Sequence, residues 1–394
     1  MNNLAEVIAP PSLPRPGLLD PTVLSPGTSE VLEYLNRNVI GQSKAAEAVV
    51  KLLQNIKAGL NEPGRPAGSF LFLGPTGTGK TRMVESVAEA FHADPKTMLV
   101  VNCGEYQMEH EGARLIGAPP GYLGHRETPP VITQQKITAM QTAKVPITII
   151  LFDEIEKAAN SLMRILLGIL DKGTLRCGDG TIVDFSKCLI FLTSNLGAKE
   201  LRRQHFNDMG FNDVPQVTAG AAKSSGERAA KKSFSPEFWN RLDRVVTFAH
   251  LGDPELREIL DLEVNKLESR AEGKFLLTLS LEAKKFLLTE GTSMEYGARE
   301  LKRIMFRYLI EPLSNLVVSD QIPRGHEVYV NKCPSSGALE FSLSQAVPPP
   351  STIAVVSSAP ANAAIHLVTN PKTTRRIKMS PVVGGPGGSL FGTK

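Results

Sequence analysis

At 394 residues with 42% apolar side chains the chain has room for two or three folded units with proper cores, and a net charge of +4 is too small to demand nucleic acid as a partner. No run of about eighteen apolar residues occurs, and the start MNNLAEVIAPPSLPRPG is neither basic nor followed by an apolar stretch, so neither a membrane span nor a secretory signal is expected. Cys103, Cys177, Cys188 and Cys333 lack paired spacing and neighbouring histidines, which speaks against a metal site or disulfide framework and for a reducing, cytoplasmic setting.

Residues 1–28 are proline-rich and aperiodic and read as a disordered leader. From Glu30 apolar residues recur at helical spacing, with Ala48, Val49, Leu52, Leu53 and Ile56 on one face. The stretch SFLFLGPTGTGKT, Ser69 to Thr81, then turns from a buried-strand pattern into a glycine-rich loop: Gly74, Pro75, Thr76, Gly77, Thr78, Gly79, Lys80 and Thr81 fit G-x-x-x-x-G-K-[ST]. Such a loop turns successive backbone N–H groups toward one anion. Its Lys adds a charge near the β and γ phosphates, its Thr hydroxyl can ligate Mg²⁺, and a following helix over Arg82 to Phe91 points its positive end at the same phosphates. A glycine turn before an ordinary helix is the bland alternative, and the exact Lys-Thr ending between strand and helix argues against it.

Further strand-like runs follow: MLVVN (Met98 to Asn102), ITIILF (Ile147 to Phe152) and CLIFLT (Cys188 to Thr193), with helical segments between them. The alternation predicts an α/β fold, a parallel sheet covered by helices on both faces, across a large unit of residues 29–250. After His250 the pattern becomes helical. A helix capped by Asp253, another capped by Ser280 and ending near Gly291, a third over Ala298 to Ile310 and a short strand over Glu327 to Val330 predict a smaller, mainly helical unit, residues 251–333. From residue 334 the chain is rich in Pro, Ser, Ala and Gly, has no acid after Glu340, and carries Lys372, Arg375, Arg376, Lys378 and Lys394; residues 334–394 read as a disordered basic tail.

A phosphate loop binds nucleotide, but hydrolysis also needs a metal anchor and a group that activates water. In ITIILFDEIEKA, Asp153 ends a buried strand where it can hold Mg²⁺, and Glu154 is placed to polarise the attacking water. Two carboxylates capping the next helix are the plain alternative. FLTSN ends in Asn195, whose amide would lie between the phosphate strand and the Asp-Glu strand, in position to hold the water or sense the γ phosphate; an Asn there can also simply form a turn.

Taken together, VIGQSKAAEAV, GPTGTGKT, LIGAPPGYLG, FDEIEKA, GILDKGTLRCGDGTIVDF, TSNLGAKEL, FSPEFWNRLDRVVTF and YGARELKR resemble, in order and spacing, the second ATPase module of the Clp family of AAA+ protein unfoldases and disaggregases, from about Val31 to Val330. The resemblance implies an AAA+ P-loop NTPase of the one-module type, with ATP and Mg²⁺ as ligands. It implies that Val39 and Ile40 flank the adenine, that Asn195 is the first sensor and Arg299 the second, and that Arg241 is an arginine finger acting on ATP held by a neighbouring subunit of a ring, most simply a hexamer. Without the resemblance, Arg241 and Arg244 would be read as a surface salt bridge with Asp243.

The resemblance also implies a substrate. Tyr122 in LIGAPPGYLG matches an aromatic that projects into the central pore and grips unfolded or aggregated polypeptides, and EYQMEHEGARL resembles the second pore loop. The continuation GYLGHRETPPVI departs from the family's GYxGYEEGG at His125, Arg126 and the paired prolines. Met209, Gly210 and Phe211 loosely match a hydrophobic-Gly-hydrophobic tripeptide through which some members dock on the Clp peptidase. The expected function is an ATP-dependent protein unfoldase or chaperone. The alternatives are a regulatory ATPase subunit of a Clp-type protease or an AAA+ nucleic-acid motor. Tyr122 speaks against the last, because tracking phosphates calls for Lys or Arg on the pore loop.

Overall fold

Six consecutive buried residues, Gly68–Leu73, form β1, as expected for a strand covered on both faces. The computed structural model describes residues 19–20, 22–117, 130–143, 145–197, 227–228, 230–293, 296–333 and 337–343. Ahead of β1 lie the helices α1 (Pro26–Asn38) and α2 (Ser43–Lys57), and α3 (Lys80–His92) follows the phosphate loop. Next come β2 (Leu99–Asn102), the short helices α4 (Gly112–Ile116) and α5 (Gln134–Ala139), β3 (Thr148–Asp153) and α6 (Asn160–Lys172). A hairpin of β4 (Thr174–Arg176) and β5 (Ile182–Asp184), then β6 (Cys188–Ser194), α7 (Pro236–Asn240) and β7 (Arg244–Thr247) complete this part.

The five-stranded sheet has the order β2-β3-β6-β1-β7 and every pairing in it is parallel. Side chains on successive residues of a strand point to opposite faces, and the two cores divide accordingly. Leu71, Leu73, Ile150, Phe152, Ile190 and Leu192 pack on the α6 side with Leu162, Leu166 and Ile169. Phe70, Phe72, Ile149, Leu151, Leu189 and Phe191 pack on the other with Val49, Leu53, Met83 and Val87 of α2 and α3. Each fully buried Phe or Leu contributes on the order of 1.5–3 kcal/mol relative to exposure. Both faces hold the strand ends that carry the site rigid.

Beyond β7 a third core gathers α8 (Asp253–Arg270), β8 (Phe275–Leu279), α9 (Leu281–Gly291), α10 (Ala298–Met305), α11 (Glu311–Val318), β9 (His326–Lys332) and β10 (Leu339–Leu343). β9 pairs parallel with β8 and antiparallel with β10. Asp253 is the first helical residue of α8 and not its cap. Gly252 takes the cap position, and Glu255 Oε2 accepts the Gly252 N–H at 2.9 Å. Ser280 does cap α9, accepting from Ala283 N. α10 runs through a π turn, Phe306–Ile310, into α11. Pro312 in the first turn of α11 accounts for the widening, since its ring would clash with the carbonyl four residues back. The segment after residue 334, expected to be unstructured throughout, contains β10, which forms because Leu339 and Phe341 lean half-buried on the third core.

Candidate functional site

The loop after β1 owes its shape to glycine. Gly74, Gly77 and Gly79 all have positive φ, at 145°, 77° and 98°, a region that L side chains avoid. α3 begins immediately at Lys80, so its unpaired N–H groups and positive end face the loop. Lys80 Nζ donates to Gly74 O and Pro75 O, both at 2.8 Å, and to Asn195 Oδ1 at 3.0 Å. Burial pulls this ammonium down to about 8, against the opposing pull of Glu156 and Asp153. An ammonium held only by neutral acceptors in a buried loop is a site prepared for an anion.

Carboxylates converge from the neighbouring strands. Asp153 ends β3 and accepts a hydrogen bond from the Thr193 hydroxyl of β6, which in turn accepts the Glu154 N–H at 3.0 Å. Glu154 adopts φ 58°, ψ 50°, a left-handed conformation that costs a non-glycine residue on the order of 1 kcal/mol and turns its side chain away from the helical path. One of its oxygens takes Lys157 Nζ at 2.6 Å and the other Asn195 Nδ2 at 3.4 Å. Because β6 runs between β3 and β1, Asn195 at its end touches both halves: Lys80 and the Thr76 hydroxyl on one side, Glu154 on the other.

The third wall comes from α10. Ala298 N donates to Gly77 O at 3.2 Å, so the first turn of this helix sits directly on the phosphate loop and Arg299 faces the same cavity of about 410 Å³. Val39, Ile40, Lys80, Thr81, Asp153 and Glu154 line it as well, and its volume is in the range of small-molecule and cofactor sites. Asp153 and Thr81 offer hard oxygen donors of the kind Mg²⁺ takes. Among the described residues no group of three or more His, Cys, Asp or Glu is arranged to hold a metal. A Mg²⁺ ion here would be held by one or two protein oxygens, with water and phosphate oxygens completing its shell.

Two features were not legible beforehand. Gln42, buried behind the loop, donates to Ala249 O at 3.0 Å and Thr78 O at 3.3 Å and accepts from Ala249 N at 3.1 Å, tying the phosphate loop to the segment that leads into α8. Arg241 lies outside the cavity and pairs with Asp171 at 2.9 Å. Asp243, the partner suggested by sequence proximity, is instead taken by the Ser69 N–H and hydroxyl, each at 2.7 Å. Tyr122, Met209, Gly210 and Phe211 lie outside the described residues.

Comparison with known proteins matches residues 65–245 to the AAA domain (Cdc48 subfamily) and residues 251–330 to the C-terminal, D2-small domain, of ClpB protein. The chain is 38% identical over 300 residues to the ATP-dependent Clp protease ATP-binding subunit ClpC of Staphylococcus aureus, and 37% identical over 301 residues to its namesake in Staphylococcus epidermidis. Each alignment covers 76% of this chain and 36% of the relative, so the chain spans little more than a third of the length of these relatives. No helix among the described residues is long and apolar enough to cross a membrane.

Proposed function

This chain belongs to the Clp family of AAA+ ATPases through its AAA domain and its ClpB-type D2-small domain, and on that premise we propose that it hydrolyses ATP in a ring, most simply a hexamer, to unfold protein substrates. The observation that carries the reading is the meeting of Lys80, Asp153, Glu154, Asn195 and Arg299 around one cavity. Lys80 and the loop N–H groups hold the β and γ phosphates, Val39 and Ile40 flank the adenine, and Arg299 brings a second cation from α10. Thr81 and Asp153 hold Mg²⁺, which offsets phosphate charge when bound. Glu154 takes the proton of the attacking water, Asn195 keeps water and carboxylate in register, and Arg241 serves the ATP of the adjoining subunit.

Tyr122 grips the threaded polypeptide. The likeness to subunits named for an ATP-dependent protease favours a second reading beside stand-alone unfolding, in which Met209, Gly210 and Phe211 dock the ring on a Clp-type peptidase. The four buried free thiols fit a reducing compartment such as the cytoplasm.

Glu154→Gln tests the chemistry: it should bind ATP as the parent does and hydrolyse it at least about 100-fold more slowly, as expected on losing a general base. Unchanged turnover would remove Glu154 from its role. Tyr122→Ala tests the substrate: ATP hydrolysis should persist while unfolding of a tagged fluorescent protein fails. Stimulation of the ATPase by single-stranded nucleic acid, and not by unfolded protein, would replace the unfoldase reading with a nucleic-acid motor.

A further inference from the structure

Arg241 is tied at both ends to the last turn of α6. Its carbonyl accepts from Arg65 Nη2 at 2.7 Å, and the same guanidinium donates through Nε to Leu170 O at 3.3 Å. Its own side chain reaches the next residue of that turn, with Nη1 2.9 Å from Asp171 Oδ1. Asp171 stands two residues before Gly173, the left-handed cap of α6. A carboxylate in that position faces the negative end of the helix dipole, where helix electrostatics disfavour it. The pair is half-exposed, at 41% and 37% of the two side chains, and neither residue lines the nucleotide cavity. Among the described residues no other acceptor engages the Arg241 fork, so most of its five donors are free for a second anion.

We propose that Asp171 is a positioning residue for hydrolysis: its carboxylate holds the Arg241 guanidinium at the surface of the chain, oriented to meet the γ phosphate bound by a neighbouring subunit. The inference rests on the reading of Arg241 as an arginine finger. A free Arg side chain gives up its rotamer freedom when it binds, and holding it beforehand takes that loss out of the transition state. Asp171 uses one guanidinium nitrogen and leaves the others to the phosphate.

The test is steady-state ATP hydrolysis by the full chain, at a concentration where sedimentation shows one assembly state, for Arg241→Ala, Asp171→Asn, Asp171→Glu and the Arg241→Ala/Asp171→Asn double variant. Asp171→Asn keeps the shape and removes the charge. It should lower kcat by about 3- to 10-fold, the scale of a partly exposed ion pair acting with lost preorganisation, with the KM for ATP and the melting temperature unchanged. Asp171→Glu should restore most of the rate. In the Arg241→Ala background, where residual turnover is followed with radiolabelled ATP, Asp171→Asn should change nothing further. Full turnover by Arg241→Ala would overturn the finger reading itself. If Arg241→Ala is inactive while Asp171→Asn keeps its kcat, or if the double variant is slower than Arg241→Ala, the positioning role falls and the finger reading stands. A kcat loss that tracks a lowered melting temperature would likewise overturn it.

Discussion

Gly297→Ala isolates the contact by which α10 reaches the nucleotide cavity. Gly297 has φ 49° and ψ −136°, and a Cβ built there would lie 3.0 Å from Gly77 O and 3.3 Å from both Gly77 C and Thr76 O. These are backbone atoms of the phosphate loop, which cannot swing aside as a flexible side chain can. An alanine therefore carries strain of about 1–3 kcal/mol, relieved only if the turn backs away from the loop. Backing away breaks the Ala298 N–H bond to Gly77 O and withdraws Arg299 from the cavity. A hydrogen bond to a charged group is worth about 1.5–3 kcal/mol, so nucleotide affinity should fall roughly 10- to 100-fold. Titration with a fluorescent ATP analogue measures this directly. The loss should equal that of Arg299→Ala, and combining the two substitutions should cost nothing more, because both remove the same interaction. Parental affinity in Gly297→Ala, or full additivity with Arg299→Ala, would refute the argument that this glycine places Arg299.

Lys80 in the free protein titrates near 8, below its ordinary range, because burial penalises the ammonium. Phosphates need the charged form, so affinity is greatest below pH 8 and weakens above it, by about tenfold between pH 7 and pH 9, and this slope should vanish in Lys80→Ala. Gln42→Ala strands the buried Thr78 and Ala249 backbone groups that Gln42 now satisfies. It should destabilise the chain by about 2–4 kcal/mol in urea unfolding and weaken ATP binding, since the loop loses its support from behind.

The sheet was legible because its central strands are covered on both faces. Parallel strands of that kind appear as unbroken apolar runs, and β1, β3 and β6 coincide with SFLFL, ITIILF and CLIFLT to within a residue or two. Two short strands were legible too, β2 as MLVVN and β9 over Glu327 to Val330, but β4, β5, β7, β8 and β10 were missed. β7 pairs with β1 through only four residues, RVVT, and β8 alternates buried Phe275, Leu277 and Leu279 with exposed Leu276 and Thr278 in a region dominated by helical spacing. β10 hides in a Pro- and Ser-rich segment, and only its pairing with β9 and the lean of Leu339 and Phe341 onto the third core make it a strand.

The phosphate loop could be read from eight consecutive residues because its chemistry is local. Contacts that close the site from a distance could not. Gln42 and Ala249 are 207 positions apart, and nothing in either neighbourhood announces the pairing. Arg241 shows the converse error: proximity pointed to Asp243, yet that carboxylate is already committed to the N–H and hydroxyl of Ser69, and Arg241 pairs instead with Asp171, distant in sequence. Gly77 joins the two cases. As sequence it is a phosphate-loop glycine chosen for its positive φ. In the fold, a Cβ on it would stand 2.0 Å from Tyr296 O and 3.2 Å from Arg299 N, so it is also the surface on which α10 rests. Loop and helix meet here through backbone atoms, without an intervening side chain to absorb movement. A shift of the loop would therefore either carry the start of α10 with it or break the Gly77–Ala298 bond, a backbone coupling between loop and helix that no side-chain motif encodes.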